Sequence, residues 1–159
     1  MRIGPMLAAA VAVLPVMALA ADSVQMAPGR WMETFTTTGA TVAGKAVPAS
    51  ALGEPASKAV CMSAAEAADP QTYFQSRSGA GGSCAAPTGS VAGGTLALAS
   101  TCARPDGATV AIEVKGGYSK DSYNAAIRAQ DGTGAAQTVV TMTVSGKYEG
   151  ACRGDENKE

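Results

Sequence analysis

Four cysteines constrain the fold of this 159-residue chain more than any other feature of its sequence. They stand at Cys61, Cys84, Cys102 and Cys152. No two of them form a Cys-x-x-Cys pair, which would be typical of a zinc site or a thioredoxin-like redox motif. In an oxidising compartment, four cysteines with such spacings indicate two disulfides. We therefore expect a small domain held by two bridges.

The N-terminus gives the reason to expect an oxidising compartment. Met1-Arg2 is a short positive start, Met6 to Leu19 is an apolar run, and Ala18-Leu19-Ala20 has the small residues of a cleavage site. This order is typical of a secretory signal peptide, and the run is shorter than the roughly 20 residues of a membrane-spanning helix. The sequence predicts a signal peptide over 1–20, cleaved after Ala20, and a periplasmic or secreted protein that does not span the membrane.

Composition excludes several classes of function. The chain has no histidine, so the commonest metal ligand and general base are missing. Its 12 basic and 13 acidic residues leave no basic surplus for binding nucleic acid. The sequence also contains no recognisable nucleophile with a partner. We therefore expect no catalytic residues, no metal and no cofactor.

Alternation of apolar and polar residues predicts strands with one buried face. It occurs at Leu96 to Cys102, Val110 to Tyr118, Tyr123 to Ile127, and Val140 to Tyr148. Before them, the Thr and aromatic content of Trp31 to Thr38 predicts a strand, and Lys58 to Met62 is a candidate short strand. Turns rich in Gly, Pro, Ser and Asp separate these runs, so sequential neighbours are antiparallel. The predicted fold class is mainly β. It is a single antiparallel meander of six or seven strands, curled into a barrel or half-barrel, with one short helix and two disulfides.

The remaining segments complete one predicted domain over 21–152. Ser63 and Glu66 form a capping box that predicts a short helix from Ala64, and Pro70 either ends it or begins a second turn. Residues 39–57 are mostly Ala, Gly, Pro and Ser, which predicts a flexible loop. Residues 76–83 predict another loop, and residues 153–159 predict a charged, disordered tail.

Turn positions predict which residues face each other. If a hairpin is centred on Gly93, Cys84 faces Cys102, and Cys61 is left to pair with Cys152. Sequence alone permits three pairings of four cysteines, of which we favour this one. The same reasoning around Lys120-Asp121 places Tyr118 opposite Tyr123.

The order of these landmarks resembles a known family. They are Pro28-Gly29-Arg30-Trp31, the segment Cys61-Met62-Ser63-Ala64-Ala65-Glu66 with Asp69-Pro70, the two middle cysteines, and Ser145-Gly146 followed by Gly150 and Cys152. The family is domain of unknown function 3617, a group of small exported bacterial proteins. The resemblance implies a periplasmic, β-rich, disulfide-bonded domain and carries no known activity or ligand. At one point the chain departs from the family pattern, because Met32 separates Trp31 from Glu33.

Two groups of residues are candidates for a ligand-binding face. Trp31, Glu33 and Phe35 share strand parity, so Glu33 could lie between two aromatic rings and serve as an acid or a ligand anchor. Alternatively, a bulge near Met32 turns Glu33 outward, which is the interpretation we favour. Tyr118, Tyr123 and Tyr148 could line a pocket for an apolar ligand or simply pack on the sheet, and we favour packing.

Three functional hypotheses follow. The first is a non-catalytic module that binds a small apolar ligand or associates with an envelope protein. The second is a purely structural or stress-related envelope protein, which the absence of a cavity would favour. The third is an enzyme that uses carboxylates or tyrosines, which two acidic groups converging in a pocket would favour. We favour the first.

Overall fold

A computed structural model describes residues 24–78 and 83–156 of the chain as a curled antiparallel sheet with two short helices, the longer of which packs against its inner face. The elements in chain order are β1 (Gly29–Val42), β2 (Lys45–Ala46), β3 (Ala56–Met62), α1 (Ala64–Ala68), α2 (Pro70–Ser78), β4 (Thr88–Ala92), β5 (Thr95–Ala103), β6 (Thr109–Tyr118), β7 (Ser122–Asp131) and β8 (Thr138–Gly150). The predicted signal peptide lies outside the described residues. Within those residues, no helix is long and apolar enough to cross a membrane.

The sheet is a meander that is completed by its first strand. Strands β4 to β8 follow one another through hairpins, and β1 then pairs with β8, giving the order β2-β1-β8-β7-β6-β5-β4. β3 lies beside β1 on the side away from β8. All the pairings are antiparallel, and the sheet does not close. The predicted fold class is therefore confirmed, with eight strands in the described part of the chain instead of six or seven.

The sheet curls around α2 into a half-barrel. At one edge of the sheet, the Gln71 side-chain oxygen accepts a hydrogen bond from the Val91 backbone N–H in β4 (2.7 Å). Near the other edge, Arg77 Nη2 donates to Glu33 Oε2 in β1 (2.6 Å). One nine-residue helix thus reaches both sides of the sheet, so its inner face must be concave.

The predicted helix start at Ala64 is confirmed. Ser63 Oγ accepts from the Glu66 backbone N–H (3.2 Å), and the Glu66 carboxylate accepts from the Ser63 N–H (2.8 Å). α2 begins directly afterwards at Pro70, where the Asp69 carboxylate accepts from the Thr72 hydroxyl and N–H. The predicted loop at 76–83 is wrong for 76–78, because α2 continues through Ser78.

The predicted flexible loop at 39–57 is wrong at both of its ends. β1 continues to Val42 because the long strand β8 supplies partners as far as Thr138. A turn at Ala43-Gly44, where both residues have positive φ, returns the chain to β2. At the other end, β3 begins at Ala56. Small residues without alternation hid these strands from the sequence pattern.

Both predicted disulfides are confirmed. The Cys61–Cys152 bridge joins Cα atoms 5.6 Å apart, and Cys84 lies opposite Cys102 in an isolated bridge and is bonded to it. The assumed hairpin centre is wrong, because a two-residue turn at Gly93-Gly94 pairs Val91 with Leu96. Gly93 and Gly94 both have positive φ, which a tight hairpin turn of this kind needs. The predicted pairing of Tyr118 with Tyr123 is confirmed.

The C-terminal residues 153–156 fold against β1 and are not a disordered tail, so that expectation is wrong for them. The buried Arg30 side chain donates to Asp155 (2.6 Å) and Glu156 (2.8 Å) through Nη1, and to Glu149 (3.2 Å) through Nε. Glu156 also accepts from the backbone N–H groups of Arg153 and Gly154. These backbone hydrogen bonds, with the Arg30 contact, lower the pKa of Glu156 to about 2. The buried Arg30 side chain therefore holds this segment against β1. The charged residues of the segment gave no indication of this contact in the sequence.

Candidate ligand-binding site

An aromatic cluster forms the floor of the half-barrel. The chain has one Trp, four Tyr and two Phe, and six of these seven residues form one contiguous group on the inner face. Phe74 of α2 packs edge-on against Tyr123 of β7, with ring centroids 5.3 Å apart. Tyr123 in turn lies 5.7 Å from Trp31 of β1. The few large apolar side chains of this alanine-rich sequence are therefore concentrated at one place, where α2 meets the sheet.

Glu33 lies inside this cluster. It is 1% exposed, and its neighbours in alternation, Trp31 and Phe35, point to the same face. The pairing of β1 with β3 and β8 is continuous from Trp31 to Phe35, and the register shifts occur at Glu149 and Thr38 instead. The interpretation that a bulge near Met32 turns Glu33 outward is therefore wrong, because β1 is paired on both sides there.

Three donors hold the Glu33 carboxylate. Its Oε1 accepts from the hydroxyls of Tyr73 (3.1 Å) and Tyr123 (2.5 Å), and its Oε2 accepts from Arg77 (2.6 Å). A buried carboxylate is tolerated only when it is paired and hydrogen-bonded. We call these four residues, Glu33, Tyr73, Tyr123 and Arg77, the Glu33 network.

Two members of the Glu33 network were not among the sequence-predicted site residues. Tyr73 and Arg77 are four residues apart on α2, so they share one face of the helix. The Arg77 guanidinium lies 5.2 Å from the centroid of the Tyr73 ring. The assignment of Ser76 to Ser83 as a loop concealed this spacing. A helix extended through Ser78 would have placed Arg77 beside Tyr73.

The environment of the network keeps its two hydroxyls protonated. Burial raises the pKa of Tyr73 and of Tyr123 well above the usual range, and the negative charge of Glu33 raises both further. Both side chains therefore remain hydrogen-bond donors to Glu33 at any pH near neutrality.

Alkaline pH is expected to destabilise the protein through these two tyrosines. Their pKa values are raised in the folded state, so their contribution is complete below the unfolded-state value of about 10 and is lost as pH rises above it. Above that pH, ionisation of each tyrosine should lower the free energy of unfolding by about 1.4 kcal/mol per pH unit. Urea unfolding from pH 9 to 11 measures this, and the double variant Tyr73→Phe/Tyr123→Phe should show a flatter dependence. An unchanged slope in that variant would contradict the assignment.

A cavity of about 700 Å³ extends from the Glu33 network along the concave face. Its apolar wall consists of Phe35, Phe74, Leu96, Ile112, Val114, Ala125, Ile127 and Val144. Its charged lining residues are Glu33, Lys58, Arg77 and Asp155. Of the predicted ligand face, Glu33, Phe35 and Tyr123 line this cavity. Trp31, Tyr118 and Tyr148 pack in the aromatic floor and do not line it.

Gly146 of β8 lets Tyr123 reach Glu33. It is the register partner of both residues, on opposite sides of β8. A Cβ at this position would collide with the Tyr123 ring, which is already packed between Trp31 and Phe74. The ring therefore lies across the glycine.

Gly146→Ala is expected to lower the free energy of unfolding by about 1–3 kcal/mol, because the tightly packed Tyr123 ring must shift. Ser145→Ala, an exposed neighbour on the same strand, is the matched control and should be close to neutral. Urea unfolding of both variants checks this. Equal stabilities would mean that the ring does not depend on the glycine.

Comparison with known proteins places this architecture in a family. A family model described as a protein of unknown function, DUF3617, matches residues 26–152. The chain belongs to the DUF3617 family. The match covers every strand, both helices and all four cysteines of this DUF3617 protein, and it confirms the resemblance noted from the sequence. No curated protein and no solved structure matches the chain.

Metal binding has no support within residues 24–78 and 83–156. No group of three His, Cys, Asp or Glu side chains converges there in a way that could hold an ion. In this part of the DUF3617 protein, the two disulfides use all four cysteines, so no thiol is free to bind a metal. What the geometry offers is a paired, buried carboxylate at one end of an apolar cavity.

Proposed function

We propose that this protein is an exported, non-catalytic module that binds a small apolar molecule in the half-barrel cavity. The observation that carries the proposal is the cavity of about 700 Å³ on the concave face. Its volume falls within the range of roughly 300–1,000 Å³ that is usual for small-molecule sites. Such sites are mostly apolar, with a few placed polar groups, as here.

The cavity wall is incompletely covered by the protein itself. Phe35, Ile112 and Ile127 face the cavity and are only partly buried, although they pack against the core. Removing apolar surface from water is favourable by about 25 cal/mol for each Å² buried. An apolar ligand would complete the burial that the chain leaves unfinished. This favours a binding module over a purely structural protein.

The polar groups favour binding over catalysis. The Glu33 carboxylate already accepts three hydrogen bonds, and the pKa of each tyrosine in the network is raised. A general base must be accessible and have a pKa near the working pH. The second acid at the cavity, Asp155, is bound by Arg30. We therefore propose that the protein is not an enzyme.

The proposed location is the periplasm or the exterior of the cell. Its support is the predicted signal peptide over 1–20 together with two disulfides, which persist in oxidising compartments. Association with the cell envelope is proposed on this location alone.

Native mass spectrometry of the protein tests the proposal. The full chain is expressed with its own N-terminus and isolated from the exported fraction without refolding. Its mass is then measured under native and under denaturing conditions. We expect an excess mass under native conditions that disappears on denaturation. The denatured mass also reports cleavage after Ala20 and the loss of four hydrogens to two disulfides. A folded sample with no excess mass, and no affinity for apolar dyes, would overturn the proposal.

A bulky residue in the cavity should weaken binding strongly while leaving the fold intact. Ile127→Trp fills the apolar wall, and Ala126→Trp places the same side chain on the outer face of the same strand. We expect the affinity for the neutral fluorescent dye N-phenyl-1-naphthylamine to fall about tenfold or more in Ile127→Trp and to change little in Ala126→Trp. Fluorescence titration measures both. Equal affinities would place dye binding outside the cavity.

A further inference from the structure

We propose that the ligand is a single-chain amphipathic anion, with its hydrocarbon chain on the concave sheet and its anionic head at Arg77 and Lys58. This inference rests on the proposed function and names the ligand class of the same site. It is carried by the arrangement of hydrogen-bond donors and charges around the cavity.

Arg77 offers unused donors at the cavity. Its side chain is 34% exposed, whereas that of its partner Glu33 is 1% exposed, so Glu33 lies behind the guanidinium. A guanidinium carries five N–H donors. Within the described part of the chain, Arg77 donates only to Glu33, through Nη2. The outer edge of this group can therefore bind a carboxylate or phosphate, for which a guanidinium fork is suited.

Lys58 places a second cation beside the first. It is the register partner of Glu33, and directly paired residues on neighbouring strands point to the same face. Lys58 therefore points to the concave side, where its amine lies 5.3 Å from the centroid of the Phe35 ring. Among the described residues, no carboxylate forms an ion pair with this amine. Its charge is free to pair with a ligand.

The other polar groups at the cavity are hydrogen-bonded within the protein, including Asp155, whose side chain is 60% exposed. Glu33 is covered and already accepts three hydrogen bonds. Asp155, the second carboxylate, is 2.6 Å from Arg30 Nη1 and accepts from it. The hydroxyls of Ser76 and Ser78 donate to carbonyls of their own helix. Cationic donors are thus the groups left to recognise the head of a ligand.

The apolar wall fits an extended chain. Tyr123, Ala125 and Ile127 follow one another on β7 and span about 13 Å along the strand. Side chains of β5, β6 and β8 flank this line, at Leu96, Val114 and Val144. A linear hydrocarbon lying along β7 would start at the Glu33 network and run toward Ile127.

Binding of four matched amphiphiles tests the inference. Hexadecanoate, 1-palmitoyl-lysophosphatidylglycerol, hexadecanol and hexadecyltrimethylammonium are titrated below their critical micelle concentrations at pH 7.5, by displacement of N-phenyl-1-naphthylamine. We expect at least one of the two anions to bind about tenfold more tightly than hexadecanol, because a charge-assisted hydrogen bond is stronger than a neutral one. A preference for hexadecanoate indicates a free carboxylate, and a preference for the lysolipid indicates a phospholipid headgroup.

Variants assign the head to the two cations. We expect Lys58→Gln to weaken anion binding about threefold and Arg77→Lys to weaken it about tenfold, with hexadecanol unaffected by either change. Lys115→Gln, on the exposed side of β6, is the matched control. Lys58 is exposed and has no ion-pair partner among the described residues, so its variant tests the inference even if Arg77→Lys fails to fold.

The outcomes separate the two proposals. If the wild-type protein binds neither N-phenyl-1-naphthylamine nor any of the four amphiphiles, the proposed function itself fails. If it binds the dye but none of the amphiphiles displaces it, the cavity binds apolar molecules and only the inference of an anionic ligand is overturned. If hexadecanol or the cation binds at least as tightly as both anions, the cavity binds apolar molecules but the inference of an anionic ligand is overturned. An unchanged anion affinity in both Lys58→Gln and folded Arg77→Lys also overturns it.

Discussion

Replacing Cys61 and Cys152 together with serine is expected to lower the free energy of unfolding by about 4.5 kcal/mol, against about 3 kcal/mol for the same change at Cys84 and Cys102. The difference comes from loop length, since the first bridge joins residues 91 apart and the second joins residues 18 apart. A domain of this size has a total stability of about 5–15 kcal/mol. Loss of the longer bridge therefore removes a large part of it.

The position of the longer bridge adds to its importance. β3 is an edge strand that pairs only with β1, and Arg30 of β1 has Cys61 on one side and Gly150 on the other. The bridge from Cys61 to Cys152 therefore fastens β3 to the end of β8 across β1. It also fixes the start of the segment 153–156 that Arg30 anchors.

Equilibrium urea unfolding of the two double variants, followed by tryptophan fluorescence, measures these losses. Trp31 is the only tryptophan and is fully buried beside both β3 and β8, so it reports on this region directly. We expect the denaturation midpoint of Cys61→Ser/Cys152→Ser to be the lower of the two. A larger loss in Cys84→Ser/Cys102→Ser, or no loss in either, would refute the argument from loop length.

The strand pattern and the cysteines could be predicted from sequence because both depend on local or pairwise rules. Alternation at Val110 to Tyr118 and at Val140 to Tyr148 identifies strands without knowledge of their partners. The pairing of β4 with β5 differs by one residue from the register expected for a hairpin centred on Gly93. The predicted pairing of Cys84 with Cys102 is nevertheless correct. Where alternation is weak, at 39–42, strand formation depends on the distant partner β8, and local sequence carries no sign of it.

The candidate site was harder to predict because its members meet only in the tertiary structure. The aromatic neighbours of Glu33 follow from strand parity, but its burial depends on β3 and β8 pairing with β1 on both sides. Its donors come from α2 and β7, which are 40 to 90 residues away along the chain. Burying the Glu33 carboxylate alone would be unfavourable, but hydrogen-bond donors stabilise it in the fold. Because these donors are distant in the sequence, the sequence pattern does not show them.

Glu33→Leu is expected to lower the free energy of unfolding by about 3 kcal/mol, as much as loss of the shorter disulfide. The change leaves two buried hydroxyls and a guanidinium without their acceptor, and each unsatisfied buried group costs about 1–3 kcal/mol. We place the total toward the lower end of the roughly 3–5 kcal/mol typical of a broken buried ion pair, because Arg77 is one-third exposed and water can replace part of its contact. Urea unfolding at pH 7 measures the loss.

A matched control and a rescue variant make this prediction specific to the Glu33 network. Glu113→Leu removes an exposed carboxylate from β6 and should change stability by less than about 0.5 kcal/mol. Adding Tyr73→Phe and Tyr123→Phe to Glu33→Leu removes the orphaned hydroxyls, so about 1–2 kcal/mol should be recovered, since apolar replacement of both partners is nearly neutral. If Glu33→Leu costs no more than Glu113→Leu, the carboxylate is not the acceptor that holds α2 on the sheet. If the added phenylalanines recover nothing, the loss comes from packing at residue 33 instead of from unsatisfied donors.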